Sequence, residues 1–141
     1  MKKLLALTLI LTLLVCSTAC TREIKTINDF SKFSDMTRKT DKIEVTFDNY
    51  SGYPFYFTIE DREDIDEVMD IIFESSFNKM EEEVNGGDHT SIKIIQGEKV
   101  YNMHAFMNKE GRYYYSFSTT DLLLKIKELA REAGAYDWAD S

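Results

Sequence analysis

Three short segments alternate apolar and polar residues with a period of two and end at turns, which commits this chain to hairpin-linked strands with one buried face. Ile43, Val45 and Phe47 alternate with Glu44, Thr46 and Asp48. Asn49-Tyr50-Ser51-Gly52 supplies turn chemistry, after which Phe55, Phe57 and Ile59 alternate with Tyr56, Thr58 and Glu60. Pro54 falls at the first residue of that second strand, where a missing N–H does least harm. Farther along, Tyr113, Tyr115 and Phe117 alternate with Arg112, Tyr114 and Ser116.

Helical spacing occupies the gaps. Asp61 is placed to cap a helix whose first turn holds Glu63 and Asp64, and Ile65, Val68, Met69, Ile72 and Phe73 recur on one face, predicting a helix from about Arg62 to Met80. Ile92, Ile94 and Ile95 open a strand, Gln96-Gly97-Glu98-Lys99 a tight turn, Val100 to Met107 the next strand, and Asn108-Lys109-Glu110-Gly111 another turn. Thr119 or Thr120 then caps a last helix with Leu122, Leu123, Ile126, Leu129 and Ala130 on its stripe, stopped by Gly134. The order β-β-α-β-β-β-α predicts an α+β domain over 41–136. Its economical form is an antiparallel sheet of about five strands with two helices packed on one face. Residues 137–141 are left as a C-terminal tail.

The N-terminus carries an address. Lys2 and Lys3 precede an apolar run from Leu4 to Val15, followed by Ser17, Thr18, Ala19 and Cys20, the pattern of a signal peptide over 1–19. The run is shorter than the roughly 20 residues that a helix needs to cross the hydrocarbon. Thr18-Ala19-Cys20 is similar to the end of a bacterial lipobox, with Ser17 where an apolar residue usually stands, and makes Cys20 the candidate lipid-attachment residue. Ser17 and Ala19 also satisfy the small-x-small site of the general signal peptidase. Residues 20–40 hold Ile24, Ile27, Phe30 and Phe33 among polar residues without a strand period, and are expected to form a lipid-anchored tether with a helical turn near Asn28 to Phe33. Lys2-Lys3, the apolar run and Thr18-Ala19-Cys20 together resemble the small lipoproteins of Gram-positive bacteria that carry an α+β domain after a short tether. The resemblance implies display outside the cytoplasm at the cell membrane, and no stated activity.

Charge and cysteine usage narrow the chemistry. Net charge is −8, and removing Met1 to Ala19 takes two lysines and no acid, leaving 15 basic residues against 25 acidic. A nucleic-acid partner is not expected from so acidic a chain, and membrane attachment must come through the acyl chains of an N-terminal lipid. Cys16 leaves with the leader and Cys20 is spent on lipid, so no thiol remains for a disulfide, a zinc site or a nucleophile. No cofactor motif is present: Gly86-Gly87 lacks a phosphate-loop context, and His89 and His104 flank the Gly97 turn out of register with one another. The acidic loop 81–88, with Glu81, Glu82, Glu83, Asn85 and Asp88, offers calcium-type oxygens, although such runs are more often a solvated helix end.

The aromatic residues then suggest a surface. With Phe55, Phe57, Tyr101, Met103, Tyr113, Tyr115 and Phe117 turned inward, Tyr56, Asn102, His104, Phe106 and Tyr114 point to the open sheet face. Rings with polar tips suit a protein, peptide or glycan ligand, so Tyr56, Asn102, His104 and Tyr114 are the expected ligand-binding residues of a lipid-anchored binding or interaction module. A small extracytoplasmic hydrolase or metal-dependent enzyme is the alternative, and no catalytic signature points to it.

Overall fold

The computed structural model describes residues 23–48, 54–81 and 89–134. The elements run β1 (Lys42–Asp48), β2 (Phe55–Ile59), α1 (Arg62–Glu74), β3 (Phe77–Met80), β4 (His89–Gln96), β5 (Lys99–His104), β6 (Met107–Glu110), β7 (Tyr113–Phe117) and α2 (Asp121–Glu132), preceded by two 3-10 turns at Ile27–Asp29 and Ser31–Phe33. The class is α+β with two helices, as the pattern of elements predicts. The strands form two antiparallel sheets rather than one, a four-stranded sheet in the order β2-β1-β4-β5 and a three-stranded sheet in the order β3-β7-β6. No helix among the described residues is long and apolar enough to cross a membrane.

Two local events split the expected single sheet. The strand foreseen from Val100 to Met107 bends at Ala105-Phe106. Ala105 N still donates to Thr90 O at 2.9 Å in the first sheet, whereas Phe106 O already accepts from Phe117 N at 3.3 Å in the second. The buried Asn108 holds this corner: its Oδ1 accepts from His104 N at 3.1 Å and its Nδ2 donates to His104 O at 2.9 Å, reproducing with a side chain the pairing of a neighbouring strand. Asn108, Lys109 and Glu110 are consequently strand rather than turn, continuing β6 from Met107, and the chain reverses at Gly111, whose φ of +59° suits glycine.

The second event ends α1 at Glu74 rather than near Met80. Asp61 caps it as expected, accepting from Glu63 N at 2.9 Å and Asp64 N at 3.4 Å. The helical spacing itself would continue to Phe77, but Ser75 N and Oγ both bond Ile71 O, at 3.0 and 2.6 Å. Serine competes in this way for helix backbone and favours an ending. Phe77 then turns inward as a strand residue opposite Phe117, with ring centroids 4.5 Å apart.

The largest departure concerns the expected tether. Ile24, Ile27, Phe30, Phe33 and Met36 are each no more than 3% exposed and belong to the same core as both sheets and both helices. They recur every three residues, and two 3-10 turns joined through the extended Phe30 turn all five toward the core. Phe30 sits edge-on to Phe33, Phe77 and Tyr115, at 5.9, 5.0 and 5.6 Å. Packing therefore begins by Ile24, well before the boundary expected at 40/41. Polar contacts fasten the stretch from Thr37 to Thr40: Arg38 pairs with Asp70 of α1, Arg62 donates to Thr40 O, and Gln96 bonds Thr37 and Thr40.

Candidate functional site

Alternation along each strand of the four-stranded sheet sends Ile43, Val45, Phe47, Ile59, Ile92, Ile94, Tyr101 and Met103 into the core, so the intervening residues make up the opposite face. Register arranges them in rows. Tyr56, Thr46, Ser91 and His104 lie side by side across the four strands, and Thr58, Glu44, Lys93 and Asn102 form the adjacent row. At roughly 4.8 Å per strand, the first row runs about 14 Å from Tyr56 to His104. A depression of about 220 Å³ opens on this face, lined by Glu44, Val45, Thr46, Tyr56, Phe57, Thr58, Ser91, Lys93 and Asn102.

Three of the four residues expected to bind a ligand are thus on one face, with Tyr56 and Asn102 in one depression and His104 at the end of the first row. Tyr114 is not among them. It belongs to β7 in the three-stranded sheet, between Met80 and Lys109 by register, and the Lys109 ammonium stands 5.1 Å from its ring centroid. The bend at Ala105-Phe106 is the physical reason, since it carries every later strand out of the sheet of Tyr56. Thr46, Ser91, Glu44 and Lys93 join the site instead. A count back from the Gly97-Glu98 turn would have found Lys93 and Ser91, which face Asn102 and His104 across the hairpin.

The two rows differ in charge. In the second, Glu44 accepts from Lys42 Nζ at 2.8 Å and Lys93 Nζ at 2.9 Å, and these two ammonium groups pull its carboxyl down to about 2 from the ordinary 4.5. The first row is a phenol, two hydroxyls and an imidazole. One face therefore offers donors and acceptors for hydroxyl or amide groups, a ring to stack on, and a carboxylate held between two ammonium groups. Because the Glu44 carboxyl is held ionised in the folded state, its contribution to stability is complete above about pH 4.5 and is lost as pH falls through about 2. Glu44→Gln should accordingly lower the melting midpoint at pH 6, and the gap from the parent protein should close between pH 4.5 and 2; a gap that widens on acidification would contradict the lysine pairing.

A second concavity of about 390 Å³ is lined by Asp35, Thr37, Lys39, Asp41, Gln96, Gly97, Lys99 and Tyr101. Asp35, Thr37, Asp41, Gln96, Gly97, Lys99 and Tyr101 of this lining bind the N-terminal segment to the β4-β5 hairpin. Lys99 Nζ and the Tyr101 hydroxyl donate to Asp35 at 2.5 and 3.1 Å, holding that carboxyl below its usual range, and Gly97 N donates to Asp41 at 2.6 Å. Among the described residues no three His, Cys, Asp or Glu side chains gather as metal ligands. Cys20, the His89 side chain and the acidic loop beyond Glu81 lie outside the described residues. Comparison with known proteins finds no matching family model, no matching curated protein and no matching solved structure.

Proposed function

We propose that this chain is a lipid-anchored, extracytoplasmic binding module that takes a peptide or glycan segment on the outer face of its four-stranded sheet. The observation that carries the reading is the exposure of Tyr56, 66% of a large ring left in solvent beside the Asn102 depression, in a protein whose other described rings are mostly buried or half-buried. Exposed aromatic groups amid hydrogen-bonding side chains are the usual means of recognition. Attachment through Cys20 would leave four residues to the buried Ile24, a reach of about 14 Å at 3.3–3.6 Å per residue. The module would stand directly on the headgroups, held by acyl chains against the repulsion of its own acidic charge.

Cys20→Ser tests the anchor: the protein should leave the membrane fraction or stay unprocessed, and a variant that remains membrane-bound at the processed mass contradicts it. Tyr56→Ala and Asn102→Ala test the face. Against panels of cell-wall oligosaccharides and extended peptides, the wild type should retain a subset that the double variant loses while its thermal transition is kept. Equal retention by both removes the sheet face from consideration.

A further inference from the structure

Sheet edges recruit further strands unless lysine, proline or a covering contact blunts them. Among the described residues the edge strands are β2 and β5 of one sheet and β3 and β6 of the other. β5 carries Lys99, and the Asn108 amide occupies the backbone N–H and C=O of His104 at its far end. Lys79 lies on β3, and Lys109 and Glu110 on β6. β2 is Phe-Tyr-Phe-Thr-Ile, without a charge, and its one protective residue is Pro54 just before it.

The free backbone groups of β2 follow from parity, because hydrogen-bonded and non-hydrogen-bonded pairs alternate along antiparallel ladders and between the two sides of a strand. Ala105 N donating to Thr90 O sets Thr90, Ile92 and Ile94 to bond β5. Ser91 and Lys93 then bond β1, leaving Ile43, Val45 and Phe47 to bond Ile59, Phe57 and Phe55 of β2. The N–H and C=O groups of Tyr56 and Thr58 therefore point out of the sheet.

We propose that β2 pairs with β2 of a second copy of this chain, antiparallel about a twofold axis at Phe57, joining the two four-stranded sheets into one. In that register Tyr56 of each copy faces Thr58 of the other, so each outward N–H meets an outward C=O. Phe57 faces its own counterpart in the non-hydrogen-bonded position, where Cβ atoms lie about 4.5–5.5 Å apart. The strand is self-complementary, as a twofold interface demands: aromatic meets β-branched on the outer face and aromatic meets aromatic on the inner. It also brings no charge into the joint between two acidic molecules, whereas each of the other edges would bring a lysine. Phe55 and Phe57, half-buried and packed on the core cluster, gain cover from the second copy. The proposal goes beyond the ligand reading and stands without it.

Cysteine cross-linking of the full chain in the cells that express it tests this, whichever fraction holds the protein. Under mild oxidation Phe57→Cys should give a band of twice the chain mass, several-fold stronger than the wild type, whose only cysteines, Cys16 and Cys20, are free in unprocessed chains alone, and stronger than Val100→Cys on the β5 edge. Adding Thr58→Pro, which deletes an outward N–H without touching the β1–β2 ladder, or Tyr56→Lys should return the band to background while circular dichroism retains the folded spectrum. If Phe57→Cys does not fold, mixed copies bearing Tyr56→Cys and Thr58→Cys read the same register. A band no stronger than background, a band that survives both added variants, equal cross-linking through Val100→Cys, or an adduct of any other mass overturns the proposal; the last outcome would give the edge to a strand of another protein.

Discussion

Phe30→Ala is expected to cost about 3–5 kcal/mol, the range for removing a fully buried phenylalanine, out of a total of about 5–15 kcal/mol for a native domain. The ring is completely buried, and three aromatic neighbours, Phe33, Phe77 and Tyr115, meet it edge-on. Each of those contacts comes from a different part of the chain: the adjacent 3-10 turn, β3 and β7. The cavity left behind would lie where the N-terminal segment joins the three-stranded sheet to the rest of the core, a place with little freedom to collapse. Urea unfolding measures it, and the midpoint should fall steeply with little change in slope. A loss below about 1 kcal/mol, the scale of a surface substitution, would mean that residues 24–36 are a tether after all.

Ile72→Ala should cost about 2–5 kcal/mol. Ile72 is fully buried on α1 together with Ile65, Val68 and Met69, the stripe that faces the core. Asp66→Ala on the same helix supplies the comparison: it breaks only the exposed pair with Arg62 at 3.6 Å, worth a few tenths of a kcal/mol. Glu67 is unsuitable as a neutral position. It accepts from Lys125 Nζ at 2.8 Å, and Lys125, with a side chain only 12% exposed, also meets Asp64 at 3.4 Å and ties α2 to α1. Equal losses from Ile72→Ala and Asp66→Ala would place the wrong helix face inward.

What could be read from the amino-acid sequence was what obeys a local period. Ile43, Val45 and Phe47, and Tyr101 and Met103, alternate and are buried as alternation demands; Leu122, Ile126 and Leu129 follow a helical stripe and are buried too. What escaped depends on distant partners. The run Ile24, Ile27, Phe30, Phe33, Met36 has a period of three, between the strand and helix templates, so it matched neither, although a scan at that spacing would have found it. Phe77 resembles a continuation of α1 until Phe117 is available to pair with it. The corner at Ala105-Phe106 rests on one amide, Asn108, whose residue type is equally at home in a turn. The proposed face inherited both outcomes: Tyr56, Asn102 and His104 follow from alternation within one sheet, and Tyr114 was lost to a bend that no local pattern announces.

Ligand binding on the outer face of the four-stranded sheet is tested most directly by backbone amide chemical-shift mapping. The labelled protein is titrated with the oligosaccharide or peptide that the panels select. Shifts should concentrate on Thr46, Tyr56, Ser91 and Asn102 and fade toward His104, and Tyr56→Ala should weaken the affinity by about 2 kcal/mol. Shifts centred instead on Tyr114 and Lys109, or on Asp35 and Gln96, with the Tyr56 row unmoved, would contradict binding at this face.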